Sequence, residues 1–400
     1  MKIWNLLSRN IAVLSVLLSV TAPLFESCET WNPEELRRKT VLVYMSGDND
    51  LWPSMSLNIK AMAAGMTPEL SAYNSLIVFV DRPDANSLLL DVRNYMCDTV
   101  KVWNEHLSSS SPDVLSMVMD YVRKSYTAMS YGLVMSSHGT GWVPDSTLNY
   151  IDPYKYGLTL GKLNQMSATK AVCCKVTSAG KMRWMNVDRM AAAIPDGQFD
   201  FILFDACLMA GVETMCELYG KTEYVIGSSV EIMRSGFPYS DIMQELFSGS
   251  YADVCHKCYE YYDGKSGTER TCGVALINVD KIRALADAFR TVVDNATVDV
   301  DDIDLYHDVQ RCDRYMNPVM FDLLDVAEKL KPGESALNAL DRALSDCVSA
   351  CYHTDYVVQN LKLDKYCGLN CYLPVSEYAY VINPAFAKTE WNRLTGFLRR

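Results

Sequence analysis

Histidine is scarce in this chain, at five in 400 residues. Acid–base or metal chemistry that needs an imidazole is therefore confined to a few places. Basic runs are missing too. The net charge is −12 and the pI about 5.0, and with no basic stripe to compete for phosphates a nucleic-acid partner is excluded. No internal repeat or low-complexity segment is present, which excludes solenoids and arrays. A zinc framework is also lacking. Cys255 and Cys258 bracket His256 in CHKC, but no second Cys/His pair stands at a matching distance, so the trio reads as helical packing and no metal is assigned. What remains is an ordinary globular balance, 49% hydrophobic and 22% charged, long enough for a sizeable core in one large domain with an appended region, or in two.

The N-terminus carries an export signal. Lys2 and Arg9 precede IAVLSVLLSV (11–20), and TAPLFESC follows; the run is too short and too early for a comfortable spanning helix. Ser27–Cys28 resembles a loose lipobox of bacterial lipoproteins, with Leu24 one place off the usual spacing. That resemblance implies cleavage after residue 27, lipidation of Cys28, and a tether over 28–38. The alternative is a plain secretory signal that leaves Cys28 an ordinary thiol. Either way the protein is exported, as a cell-envelope lipoprotein or as a secreted protein. Fourteen cysteines in such a chain would suggest disulfides. Cys97, Cys216, Cys272 and Cys312 lie among apolar neighbours, however, and read as buried free thiols. Cys347/Cys351 and Cys367/Cys371 either pair or pack.

VLVYMS (41–46), SLIVFVD (75–81) and FDFILFDAC (199–207) are continuous apolar strands of the kind covered on both faces. LLLDVRN (88–94), the strand in YGLVMSSHGTGW (131–142), YVIGSS (224–229) and CGVALINV (272–279) join them. Helical spacing marks 51–65, 112–129 and 209–220, and Asn186 or Asp188 caps a helix carrying Met190 and Ile194. The alternation predicts an α/β fold with a mostly parallel sheet and helices on both faces. Beyond about residue 281 the chain is mainly helical, with a late strand-like CGLNCYLP. Residues 143–185 are polar and irregular, which implies a functional loop, a hairpin excursion or disorder.

Two strands end in reactive groups, His138 in SSHG and Cys207 in FDAC. Ligands of α/β sheets bind at such carboxyl ends, and the helix expected directly after Cys207 would favour its thiolate. Among the five histidines, His138 alone joins a preceding apolar strand to following glycines. A Cys nucleophile needs a nearby base and an oxyanion hole, for which the Gly139 and Cys207 amides are the natural donors. Chemistry alone leaves a hydrolase dyad level with a satisfied His and a core Cys.

SSHGTGW and FDACLM, with VYMSGDND upstream and SSVEIMRSGFPY downstream, resemble the clostripain family of cysteine peptidases over most of residues 39–280. The resemblance implies a caspase-like α/β/α sandwich with a mostly parallel sheet, and a mainly helical region over 281–400. It implies that Cys207 is the nucleophile and that His138 protonates the leaving amine. It implies, too, that Asp205 selects Arg or Lys at P1, which a partly buried carboxylate pairing with a guanidinium would do. The alternative for Asp205 is a structural cap of the turn into the following helix. Asp50 and Glu231 are further cleft candidates, or simply solvated. Some members are activated by a cut between the dyad strands, for which Lys170, Lys175 and Lys181 are the candidates here. Some need calcium, but the acidic DVDDID beginning at Asp299 lacks the spacing of a calcium loop, and no ligands are named. RSGFPY departs from relatives that carry Trp before the Pro or Tyr, so the S2 region differs. The implied protein is a monomer acting on peptide or protein substrates with Arg or Lys at P1, touching the membrane through its lipid only. The rival is a binding or scaffolding lipoprotein that keeps the fold without turnover.

Overall fold

The computed structural model describes residues 37–152, 173, 175–176, 182–358 and 361–398. Nine strands form one sheet: β1 (Arg37–Ser46), β2 (Asn74–Asp81), β3 (Leu88–Arg93), β4 (Met96–Val102), β5 (Ala128–Ser136), β6 (Phe199–Asp205), β7 (Thr222–Gly227), β8 (Gly273–Asn278) and β9 (Val348–His353). Their order is β9-β8-β7-β6-β5-β1-β2-β3-β4. The centre, β7-β6-β5-β1-β2, is parallel throughout, and only β3 and β8 run the other way. This is the mixed, mostly parallel α/β sheet that the strand–helix alternation predicts.

The strand residues divide between two cores because successive side chains leave opposite faces. Leu42 and Tyr44 of β1 enter one cluster, whereas Val41, Val43 and Met45 enter the other. The helices that matter for the site and the two cores are α1 (Trp52–Gly65), α2 (Pro112–Ser125), α3 (Val187–Ala193), α4 (Val212–Glu217), α5 (Tyr239–Ser248), α6 (Tyr251–Asp263), α7 (Ile282–Asp294) and α8 (Glu334–Cys347), and further short helices accompany them. α1, α5 and α6 cover the Val41 face, and α2, α3, α4, α7 and α8 cover the Leu42 face.

Four expectations change. The helix expected over 112–129 stops at Ser125, because β5 already begins at Ala128. The helix expected over 209–220 shrinks to α4. Leu208 takes a left-handed φ of 62°, and the Leu208 and Ala210 amides donate to Val230 O and Ser228 O instead of starting a helical turn. β4 has no apolar run to announce it, since it is an exposed edge strand, and Cys97 on it is exposed rather than core. Residues beyond 280 form no separate body. One compact unit starts at Arg37, β9 pairs with β8, and CGLNCYLP supplies only Asn370–Cys371, paired with Phe321–Asp322.

All twelve cysteines among the described residues are free thiols. Cys255 and Cys258 lie on the buried side of α6, while His256 faces Glu260 on the outside. Among the described residues, no helix is long and apolar enough to cross a membrane.

Candidate active site

β5 and β6 are neighbouring parallel strands with Ser136 opposite Asp205. The ladder continues past the strand ends, where the Ser137 amide donates to Asp205 O at 3.3 Å. His138 and Cys207 each follow that register pair by two residues, so they leave adjacent strands at the same carboxyl edge. Both are buried, at 2% and 0% relative exposure.

Cys207 is held by backbone, not by a helix terminus. The Ile232 amide donates to its Sγ at 3.2 Å, and the thiol lies 3.7 Å from Ile232 O. α4 starts only at Val212, so the helix-dipole argument for the thiolate fails for a geometric reason. A hydrogen bond to sulfur takes its place.

His138 Nε2 donates to Asp50 Oδ1 at 2.7 Å. Arg234 donates to Asp50 Oδ2 and to Asp50 O, both at 2.7 Å. Burial opposes ionisation of Asp50, but the His138 hydrogen bond and charge, with Arg234, hold its carboxyl below the ordinary value. Trp184 lies tilted beside the imidazole, with ring centroids 6.5 Å apart.

Asp205 is wholly buried. Its Oδ2 accepts from Ser136 Oγ at 2.9 Å and from Tyr239 Oη at 3.0 Å. Burial, and then the Asp205 charge, push the Tyr239 hydroxyl up, so it stays a donor. These two hydroxyls come from β5 and from the start of α5, on the side of Asp205 that faces the 232–239 segment. Gly236, at φ 67°, lies against the carboxylate, and a Cβ there would stand 2.5 Å from Oδ1. The adjoining cavity, lined by Ile232, Met233, Gly236, Phe237, Cys258 and Tyr262, measures about 10 Å³, room for roughly one water. Residues 232–239 thus form a strap that touches Cys207, Asp50 and Asp205 in turn.

The other candidates fall as follows. Gly139 is buried in the turn after His138. Glu231, also buried, pairs with Arg314 from the C-terminal region. That region braces the Cys207 loop as well. The Asn370 amide donates to Ala210 O at 3.0 Å, Asn370 Nδ2 donates to Ser229 O at 2.7 Å, and the Tyr372 amide donates to Glu213 Oε1 at 2.8 Å. Lys175 belongs to a short hairpin, Lys175–Val176 with Met182–Arg183; Lys170, Lys181 and Cys28 lie outside the described residues. In DVDDID, Asp299 accepts from the Asp301 amide and Asp304 from the Tyr306 amide, so these carboxylates cap local turns. Sequence reasoning missed the Arg234–Asp50–His138 chain, although Arg234 stands in the motif SSVEIMRSGFPY. It also missed a cluster of Asp48, Asp81 and His106, in which His106 Nε2 lies 2.7 Å from Asp81 Oδ1.

The sequence model of the clostripain family, Peptidase C11, matches residues 43–361. The chain belongs to the clostripain family. Clostripain of Hathewaya histolytica is 24% identical over 252 residues, covering 54% of this chain and 44% of the relative. The chain thus spans less than half the length of that curated relative. Among solved structures, an inactive zymogen C11 protease from Parabacteroides distasonis is 25% identical, covers 90% of this chain and 98% of its own, and superposes with a TM-score of 0.76. A secreted C11 cysteine protease from Bacteroides thetaiotaomicron, in complex with an irreversible peptide inhibitor, shares the fold at a TM-score of 0.73, with 24% identity and coverage of 90% and 99%. The clostripain-family fold therefore includes the C-terminal region, whose helices and β9 are part of the same body.

Proposed function

We propose that this protein is an exported cysteine endopeptidase that cleaves after Arg or Lys. The observation that carries the reading is the shared edge of β5 and β6, from which a buried thiol and a buried imidazole emerge in register. In the reaction, the Cys207 thiol gives its proton to His138 and its sulfur attacks the scissile carbonyl carbon. The oxyanion is taken by the Gly139 and Cys207 amides. His138 then protonates the leaving amine, the C–N bond breaks, and a thioester remains on Cys207. Water adds to the thioester with its proton accepted by His138, releasing the acid and restoring the thiol. Asp205 is the partner for a P1 guanidinium or ammonium.

Beside the strap that covers Asp205 the adjoining cavity measures only about 10 Å³, and a shift of residues 232–239 would open the way to the carboxylate. That supports a precursor activated by a cut after Lys170, Lys175 or Lys181. The signal and Cys28 support display as a lipid-anchored envelope protein.

The test uses the soluble chain from about residue 29 on fluorogenic peptides ending in Arg, Lys, Asp or Leu, with and without prior limited trypsin treatment. Cleavage after Arg or Lys that is absent in Cys207→Ala is expected, and an EDTA arm reads any calcium requirement. No cleavage of any peptide in either arm would replace this reading with the binding-lipoprotein one.

A further inference from the structure

Three residues far apart in sequence form one line of charge at the site: His138, Asp50 and Arg234. Asp50 lies 88 residues from His138 and 184 from Arg234. Its two oxygens are divided, Oδ1 toward the imidazole and Oδ2 toward the guanidinium, each contact at 2.7 Å. A carboxylate can only accept, so His138 Nε2 carries a proton and the exchangeable position of the neutral ring is Nδ1. The contact therefore fixes the tautomer as well as the ring plane. Arg234 lies between Ile232, which brackets the nucleophile's sulfur, and Gly236, which covers Asp205.

We propose that Asp50 is a positioning residue for His138 and that Arg234 sets how much of the Asp50 charge the imidazole feels. This rests on the dyad reading above. Asp50 favours the imidazolium, the form that protonates the leaving amine; Arg234 draws on the same carboxylate and weakens that preference. Among the described residues, the imidazole is flanked by Asp50, with Arg234 behind it, and by the aromatic Trp184, while Cys207 leaves the adjacent strand end. Asp48 is turned to His106, and Glu231 is paired with Arg314. The two partners of Asp50 thus act on His138 with opposite signs.

Opposite signs give the test. Asp50→Asn keeps an acceptor for Nε2 and removes the charge, so the alkaline limb of kcat/KM is expected to fall by about one pH unit. Arg234→Met leaves Asp50 fully directed at His138, so the same limb is expected to rise. A merely structural role would lower activity without moving the limb, or would move it alike in both variants, and either result overturns the proposal. The same substitutions in the Cys207→Ala background, followed by NMR titration of His138, read the coupling without turnover. A His138 pKa that falls with Asp50→Asn and rises with Arg234→Met supports the proposal even if the peptides are not cleaved, whereas an unmoved pKa refutes it. Full cleavage by Cys207→Ala would instead sink the dyad reading and leave the titration to decide on Asp50.

Discussion

Gly236 and Asp205 illustrate how single positions govern this site. A Cβ on residue 236 meets both carboxylate oxygens of Asp205, at 2.5 and 2.6 Å, in a left-handed backbone. Gly236→Ala is therefore expected to cost about 2–4 kcal/mol of stability, combining the left-handed penalty with overpacking, and urea unfolding measures it. Asp205→Asn acts differently, because Ser136 and Tyr239 can still donate to the amide oxygen. It is expected to lower kcat/KM on Arg and Lys peptides by about 100-fold or more, since a buried charge loses its partner. Alkylation of Cys207 by iodoacetamide should persist, which separates loss of the pocket from loss of the nucleophile. His138, Cys207 and Asp205 were legible because each stands at the end of an apolar run. Arg234 was not, since its partner Asp50 is 184 residues away and nothing local marks the pairing.

At the scale of elements, the loop and short helix after Cys207 are held by a buried acid. Burial pushes the Glu213 carboxyl up to about 7, against the pull of the Tyr372 amide. Its Oε2 and Asn370 Oδ1 have no hydrogen-bond partner among the described residues, and both crowd Gly211. A proton on Oε2 supplies the donor this acceptor-rich corner needs. With the folded value above the unfolded one of about 4.3, the contribution of Glu213 is full below that pH and is lost as pH rises through about 7. Glu213→Gln mimics the neutral acid. It is expected to match wild type at pH 4 and to exceed it at pH 8 by up to about 3 kcal/mol in urea unfolding. The long strands were readable because β1, β2 and β6 are apolar on both faces. β4 was not, since an exposed edge strand needs no hydrophobic pattern. The start of α4 was hidden for another reason: periodic Met209, Val212 and Met215 are buried whether or not the first turn forms, and the β7 loop takes the amides that would have begun it.

For the whole molecule, the C-terminal region is structural. Trp391, Phe386 and Tyr372 join the same core as β6 and α7, and β9 closes one sheet edge. A chain ending at residue 280 is expected to be insoluble or molten, checked by near-UV circular dichroism and by solubility after refolding. The sequence pattern changes character near 281, which invites a boundary there, but packing does not follow the change. The sheet order has a consequence of its own. Everything up to the end of β5 supplies β4-β3-β2-β1-β5 as one contiguous block, and everything from the start of β6 supplies β6-β7-β8-β9 as another, so the segment linking β5 to β6 divides them. The two blocks meet only along β5 and β6 within the sheet, with one reactive residue on each bank of that seam. Two separately produced fragments divided there should therefore complement each other: each alone is silent, and mixing them restores the thiol–imidazole pair in the act of association.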